Sequence, residues 1–187
     1  CKYDKALSDA VMGRPPQYCF ETFISWHSLD DSWEELRDES EEIFIGLLDD
    51  GVDAMPGLLE LLEALEKGGI PKAICTSSSR NVVGAVLTPF EMESRFQFTL
   101  TAADITRGKP DPEVYLKAAG RFGIEPPEML VLEDSQTGCR SAAAAGAFAV
   151  AVPGGLSLDH DFSFASLVIE NLKDGRLYET LGLANGD

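Results

Sequence analysis

Three clusters of polar residues each follow a short apolar segment, and the first of them is rich in hydroxyls. It contains Thr76, Ser77 and Ser78, directly after the apolar residues 73–75. Hydroxyls and backbone N–H groups at a turn from a strand into a helix can bind an anion, because the positive end of the helix adds to their attraction. The same pattern is also typical of a helix N-cap, for which one Ser or Thr is enough.

The second cluster places one ammonium group in a stiff turn. Lys109 lies between Gly108 and Pro110, and Pro112 follows shortly after. A rigidly held ammonium suits a phosphate oxygen or a developing negative charge. An exposed Lys in a surface turn is the alternative interpretation.

The third cluster is a pair of neighbouring carboxylates, Glu133 and Asp134, after the apolar residues 129–132. Adjacent carboxylates at a strand end resist joint burial unless a cation neutralises them. Mg²⁺ binds one or two carboxylates together with waters and phosphate oxygens. Capping of the next helix by Asp134 or Ser135 is the alternative. Taken together, the three clusters indicate phosphoryl chemistry.

The elements that must position these clusters follow an alternating pattern from residue 56 onwards. The sequence predicts strands at 72–76, 97–101, 129–133, 148–152 and 167–169, with helices between them. Such alternation indicates an α/β fold with a doubly wound parallel sheet. Ligands of these sheets bind outside the carboxyl ends of the strands, so we expect the three clusters to meet there.

The first part of the chain has a different, helical pattern. Helices are predicted at 4–12, 17–27 and 32–48, and Ser32 with Glu35 forms a capping box at the start of the third. The third helix carries many carboxylates, and these indicate a solvated helix face rather than a metal site.

Composition excludes several classes of partner. The chain has 187 residues and a formal net charge of −17, so binding to nucleic acid or to an anionic membrane surface is disfavoured. No apolar run reaches the ~18 residues that a membrane span needs. The four cysteines form no CxxC pair, which favours reduced thiols and predicts a cytoplasmic protein.

These motifs resemble those of the haloacid dehalogenase (HAD) superfamily, in its β-phosphoglucomutase and phosphatase-like branch. The resemblance rests on four stretches, at residues 55–57, 73–78, 108–115 and 131–138. It implies a helical cap at residues 1–53, truncated at its start, and a Rossmann-like α/β core at residues 54–187. It also implies a small phosphorylated metabolite as substrate and Mg²⁺ as cofactor; the sequence leaves the oligomeric state open.

The resemblance assigns a role to each cluster. Ser77 would bind the transferring phosphoryl group, with Thr76 and Ser78 in the same cradle, and Lys109 would stabilise the charge on that group. Asp134, assisted by Glu133, would hold Mg²⁺. Two arginines are candidates for the rest of the substrate, Arg14 in a cap loop and Arg80 after the cradle.

One departure from the family pattern is large. The family's chemistry begins with an Asp-x-Asp motif after an N-terminal strand, and neither the strand nor the motif precedes the predicted cap. Loss of a central strand would leave apolar strand edges unpaired. The chain is therefore expected to be a fragment, to receive the strand from another chain, or to be a non-catalytic relative. The expected activity is a Mg²⁺-dependent phosphatase whose nucleophile lies outside this sequence, with a sugar phosphomutase as the alternative.

Overall fold

Eight helices and five strands make up the parts of the chain that the structure, a computed structural model, describes: residues 5–11, 14–48 and 51–183. The helices are α1 (Lys5–Val11), α2 (Pro16–His27), α3 (Trp33–Leu47), α4 (Leu58–Lys67), α5 (Arg80–Leu87), α6 (Glu113–Phe122), α7 (Gln136–Ala145) and α8 (Gly175–Thr180). The strands are β1 (Ile74–Cys75), β2 (Thr99–Leu100), β3 (Leu130–Glu133), β4 (Phe148–Ala151) and β5 (Leu167–Val168). The predicted order of elements is confirmed.

Helices α1–α3 form an N-terminal helical unit. The capping box predicted at the start of α3 is present: the Ser32 side chain accepts a hydrogen bond from the Glu35 backbone N–H, and the Glu35 carboxylate accepts from the Ser32 backbone N–H. This satisfies two backbone donors that a helix start otherwise leaves free. Pro16 is the first residue of α2. The backbone N–H at this position makes no hydrogen bond within a helix, so a proline is tolerated there. Helices α2 and α3 therefore each begin at a local sequence signal.

The strands are all parallel, as predicted, but they form two separate ladders. β1 pairs with β2, and β4 pairs with both β3 and β5. Within the described residues, β1 and β3 do not pair with each other. β1 has a neighbour on one side only and is two residues long, whereas the sequence predicts five.

The side chains around this gap are more exposed than those of an ordinary central strand. Leu132 in β3 keeps 38% of its surface exposed, whereas Val131 and Glu133 on either side of it are buried. A strand that is buried on both faces should instead be apolar and covered throughout. Among the described residues β1 and β3 thus each keep one unpaired edge, as expected if a strand of the predicted sheet is missing between them.

Helices cover both faces of the sheet. On one face, Val114 and Ala118 of α6 and Ala142 of α7 join a buried cluster with Leu100 and Val131. On the other face, residues of α4 and α8 pack on β4 and β5 in a second buried cluster. The alanines of α7 let it pack closely on α6 and β4, and Gly146 ends the helix with a φ of 84°.

No helix among these residues is both long enough and apolar enough to span a membrane.

Candidate active site at the carboxyl ends of the strands

Lys109 connects the ends of β1 and β3. Its side chain is almost completely buried, with only 7% of the residue exposed. Its Nζ donates one hydrogen bond to the Cys75 carbonyl, at 3.2 Å, and another to the carboxylate of Glu133. An ammonium group has three N–H donors, so one remains for a ligand. Lys109 of the second cluster and Glu133 of the third therefore meet at the end of β1, directly before the hydroxyl cluster.

Glu133 belongs to a buried network. One of its carboxylate oxygens accepts hydrogen bonds from Lys109 and from the Tyr115 hydroxyl, and the other accepts from Ser135 Oγ at 3.2 Å. Burial, with the negative charge of Glu133, raises the pKa of Tyr115 well above its usual value, so the phenol keeps the proton that it donates. This geometry gives Glu133 a role in holding Lys109, and its predicted assistance to Asp134 in binding Mg²⁺ stays a prediction.

Asp134 has a different environment from its neighbour. The residue is exposed, but protein atoms surround its carboxyl group closely enough to raise its pKa, and the charge of Glu133 adds to this rise. A bound cation would relieve both effects. Among the described residues no three side chains of His, Cys, Asp or Glu come together as a metal site. Mg²⁺ needs only one or two protein carboxylates when substrate oxygens complete its shell, and Asp134 fits that requirement.

The residues of the hydroxyl cluster and its neighbour Ser79 have different roles. Ser79 caps α5, since its Oγ accepts a hydrogen bond from the Val82 backbone N–H at 3.3 Å. The Ser78 N–H donates to Thr76 Oγ1 at 3.0 Å, which closes the turn. The capping role that sequence reasoning weighed against anion binding therefore belongs to Ser79. Ser77 lines a cleft and has neither of these tasks.

This cleft lies between the helical unit and the core and has a volume of about 570 Å³. Pro15, Trp33 and Arg37 line it on the helical side, and Ser77 and Asn81 line it on the core side. The volume falls within the usual range of small-molecule sites. A small ligand bound in the cleft would therefore reach the hydroxyl cluster.

The structure separates the two candidate arginines. Arg14 is exposed, its guanidinium lies 5.3 Å from the centre of the Tyr18 ring, and it does not line the cleft. Arg80 does line the cleft, but its guanidinium donates to both carboxylate oxygens of Asp104 at 2.9 Å. The Thr101 backbone N–H, which donates to Oδ2 of Asp104 at 2.8 Å, is the main cause of the lowered pKa of Asp104 and also holds this carboxylate in place.

Sequence reasoning missed a stripe of residues on α3. Trp33, Arg37 and Glu41 recur every four residues and face the cleft together. Residues four apart lie on one face of a helix, so the spacing itself was the available signal. Glu41 was interpreted as part of a solvated face; instead, it accepts a hydrogen bond from Ser79 Oγ across the cleft at 2.8 Å.

A comparison with known families decides the classification. Residues 2–152 match the family model of the haloacid dehalogenase-like hydrolases. The chain belongs to this family. The predicted resemblance to haloacid dehalogenase-like hydrolases is therefore confirmed.

Curated haloacid dehalogenase-like relatives include several phosphatases. The chain is 30% identical over 182 residues to the bifunctional riboflavin kinase/FMN phosphatase of Arabidopsis thaliana, covering 95% of this chain and 48% of that protein. It is 30% identical to a probable pseudouridine-5'-phosphatase of Drosophila melanogaster, covering 92% and 77% respectively. The chain thus spans about half the length of the plant protein and about three quarters of the insect one.

Solved haloacid dehalogenase-like structures share the fold. CbbY from Rhodobacter sphaeroides, in complex with phosphate, has a TM-score of 0.80 at 23% identity, with 90% of this chain and 76% of that chain covered. β-Phosphoglucomutase from Clostridium difficile also has a TM-score of 0.80, at 21% identity, with coverage of 97% and 81%. These similarities establish the arrangement of helices and sheet.

Proposed function

We propose that the protein is a Mg²⁺-dependent phosphatase of a small phosphomonoester and that the helical unit is its substrate-covering cap. The observation that carries this proposal is the position of Lys109, held between the ends of β1 and β3 by the Glu133 carboxylate and by the Cys75 carbonyl, directly after which the hydroxyl cluster begins. The phosphatases among the curated relatives support the same reaction class.

The chain's own residues bind and orient the phosphoryl group. The Ser77 hydroxyl donates a hydrogen bond to one phosphoryl oxygen, while the free N–H of Lys109 donates to another. Because Lys109 is almost completely buried, its charge stabilises a developing negative charge more strongly than it would in water. Glu133 keeps the ammonium in place, and Tyr115 in turn holds the Glu133 carboxylate.

Asp134 is the residue of this chain that would hold Mg²⁺. When bound there, the cation would neutralise charge on the phosphoryl oxygens. The raised pKa of Asp134 supports this role, since its carboxylate is stabilised by a cation and destabilised by its present surroundings.

The nucleophile would come from a strand in the gap between β1 and β3. A carboxylate at its carboxyl end would attack phosphorus, the bond from phosphorus to the leaving-group oxygen would break, and that oxygen would receive a proton. Water would then hydrolyse the resulting aspartyl phosphate, which releases inorganic phosphate and restores the carboxylate. The unpaired edges around Leu132 support a strand at this position.

We expect the full-length natural protein to release phosphate from a panel of small phosphomonoesters when Mg²⁺ is present. Chelation of the metal should abolish the release, and Asp134→Asn should lower kcat by roughly 10²-fold or more. Glu128→Gln changes an exposed carboxylate outside the cleft and serves as the control. The absence of phosphate release across the whole panel would refute the proposal and favour a non-catalytic relative.

A further inference from the structure

The charged side chains that line the cleft balance one another. Four charged side chains line the cleft among the described residues, and two are cations and two are anions: Arg37, Arg80, Asp38 and Glu41. The net charge of this lining is therefore zero.

Each of the two cations already has a carboxylate partner. Arg37 contacts Asp38 at 2.7 Å and stacks on the Trp33 ring, with 5.0 Å between the guanidinium carbon and the ring centre. Arg80 is paired through two contacts with Asp104, which does not itself line the cleft. Neither guanidinium is left with an uncompensated charge for an incoming anion.

The two lining carboxylates differ in this respect: Arg37 neutralises Asp38, whereas no cation pairs with Glu41 among the described residues. Glu41 accepts a hydrogen bond from Ser79 Oγ across the cleft. Ser79 lies two residues after Ser77, the proposed phosphate ligand. Asp38 is exposed at the cleft wall. Carboxylates accept hydrogen bonds from hydroxyls, and they repel phosphate.

From this balance we infer that the cleft selects phosphomonoesters with a neutral, hydroxyl-bearing leaving group and rejects esters that carry a second phosphate. The inference rests on the proposed function and specifies its substrate class. Glu41 and Asp38 are the specificity-determining residues: Glu41 repels a second phosphate directly, and Asp38 keeps Arg37 from binding one. A second phosphate would place roughly two negative charges beside Glu41, and the paired guanidinium groups of Arg37 and Arg80 would not balance them.

The test compares two substrates that differ by one phosphate, fructose 6-phosphate and fructose 1,6-bisphosphate, with the full-length protein. We expect kcat/KM for the bisphosphate to be at least roughly tenfold lower. The double variant Asp38→Asn, Glu41→Gln should reduce this difference about threefold or more, because both changes remove charge and keep similar shape. Gln at position 41 can still accept the hydrogen bond from Ser79.

The matched control is Glu39→Gln, Glu42→Gln, which removes two charges from exposed positions of the same helix that do not line the cleft. This control should leave the substrate ratio unchanged. A bisphosphate that is hydrolysed as well as the monophosphate, or an equal change in both double variants, would overturn the inference.

Calorimetric titration of both esters separates this inference from the proposed function. If neither ester is hydrolysed but the monophosphate binds more tightly, the function is wrong and the selectivity is supported. If the bisphosphate binds at least as tightly, or if neither ester binds, the selectivity is refuted.

Discussion

Replacing Lys109 by Met in the full-length protein should lower kcat for phosphomonoester hydrolysis by about 10²–10³-fold. This is the usual loss when one preorganised electrostatic partner of the transition state is removed. The same substitution leaves the buried Glu133 carboxylate without its counter-charge, which costs about 3–5 kcal/mol of unfolding free energy. Urea denaturation and steady-state kinetics measure the two effects.

A second substitution separates these effects. Glu133→Gln in the Lys109→Met background removes the unpaired charge, so most of the lost stability should return, because neutral replacements of a buried ion pair are often tolerated. Activity should stay low, since no ammonium is restored. Recovery of kcat together with stability would show that Lys109 acts only through the fold.

Gly138→Ala should destabilise the protein by about 1–3 kcal/mol and should also lower kcat. A methyl group at this position in α7 would overlap the carboxylate of Glu133. That carboxylate has little freedom to move away, because Lys109, Tyr115 and Ser135 all donate hydrogen bonds to it. Overpacking of a buried site carries this cost, and any shift of Glu133 displaces Lys109.

Gly120→Ala in α6 is the matched control. No heavy atom lies within 4 Å of the position that its methyl group would occupy. Alanine in a helix interior should therefore stabilise the protein by about 0.5–1 kcal/mol. Thermal or urea unfolding of both variants measures the difference, and a Gly138→Ala protein as stable as the Gly120→Ala protein would contradict the packing around Glu133.

The sequence predicted those features that depend on local signals. The capping box at Ser32 and the glycine end of α7 at Gly146 both depend on residues a few positions apart. The alternation of helices and strands likewise predicted a parallel sheet, and the sheet rule predicted that the clusters lie at strand ends. The structure agrees for the first and third clusters, which directly follow β1 and end β3. The Lys109 turn lies well beyond the end of β2, and only its side chain reaches the ends of β1 and β3.

Contacts between side chains of distant elements could not be predicted from the sequence. Glu133 and Asp134 are adjacent and look equivalent, but Tyr115 and Lys109 are brought to only one of them by the packing of α6 against β1 and α7. The arginine that lines the cleft from the helical unit is Arg37 rather than Arg14, because Arg37 lies on the face of α3 that borders the cleft. Such contacts depend on how elements pack, which no local pattern specifies.

The most direct measurement is a crystal structure of the full-length protein with Mg²⁺ and orthovanadate, a stand-in for the transferring phosphoryl group. We expect vanadate oxygens within hydrogen-bond distance of Ser77 Oγ and Lys109 Nζ, and the cation on the carboxylate of Asp134. Vanadate bound elsewhere, with Ser77 and Lys109 both without contact to it, would contradict a single phosphoryl site at the ends of these strands.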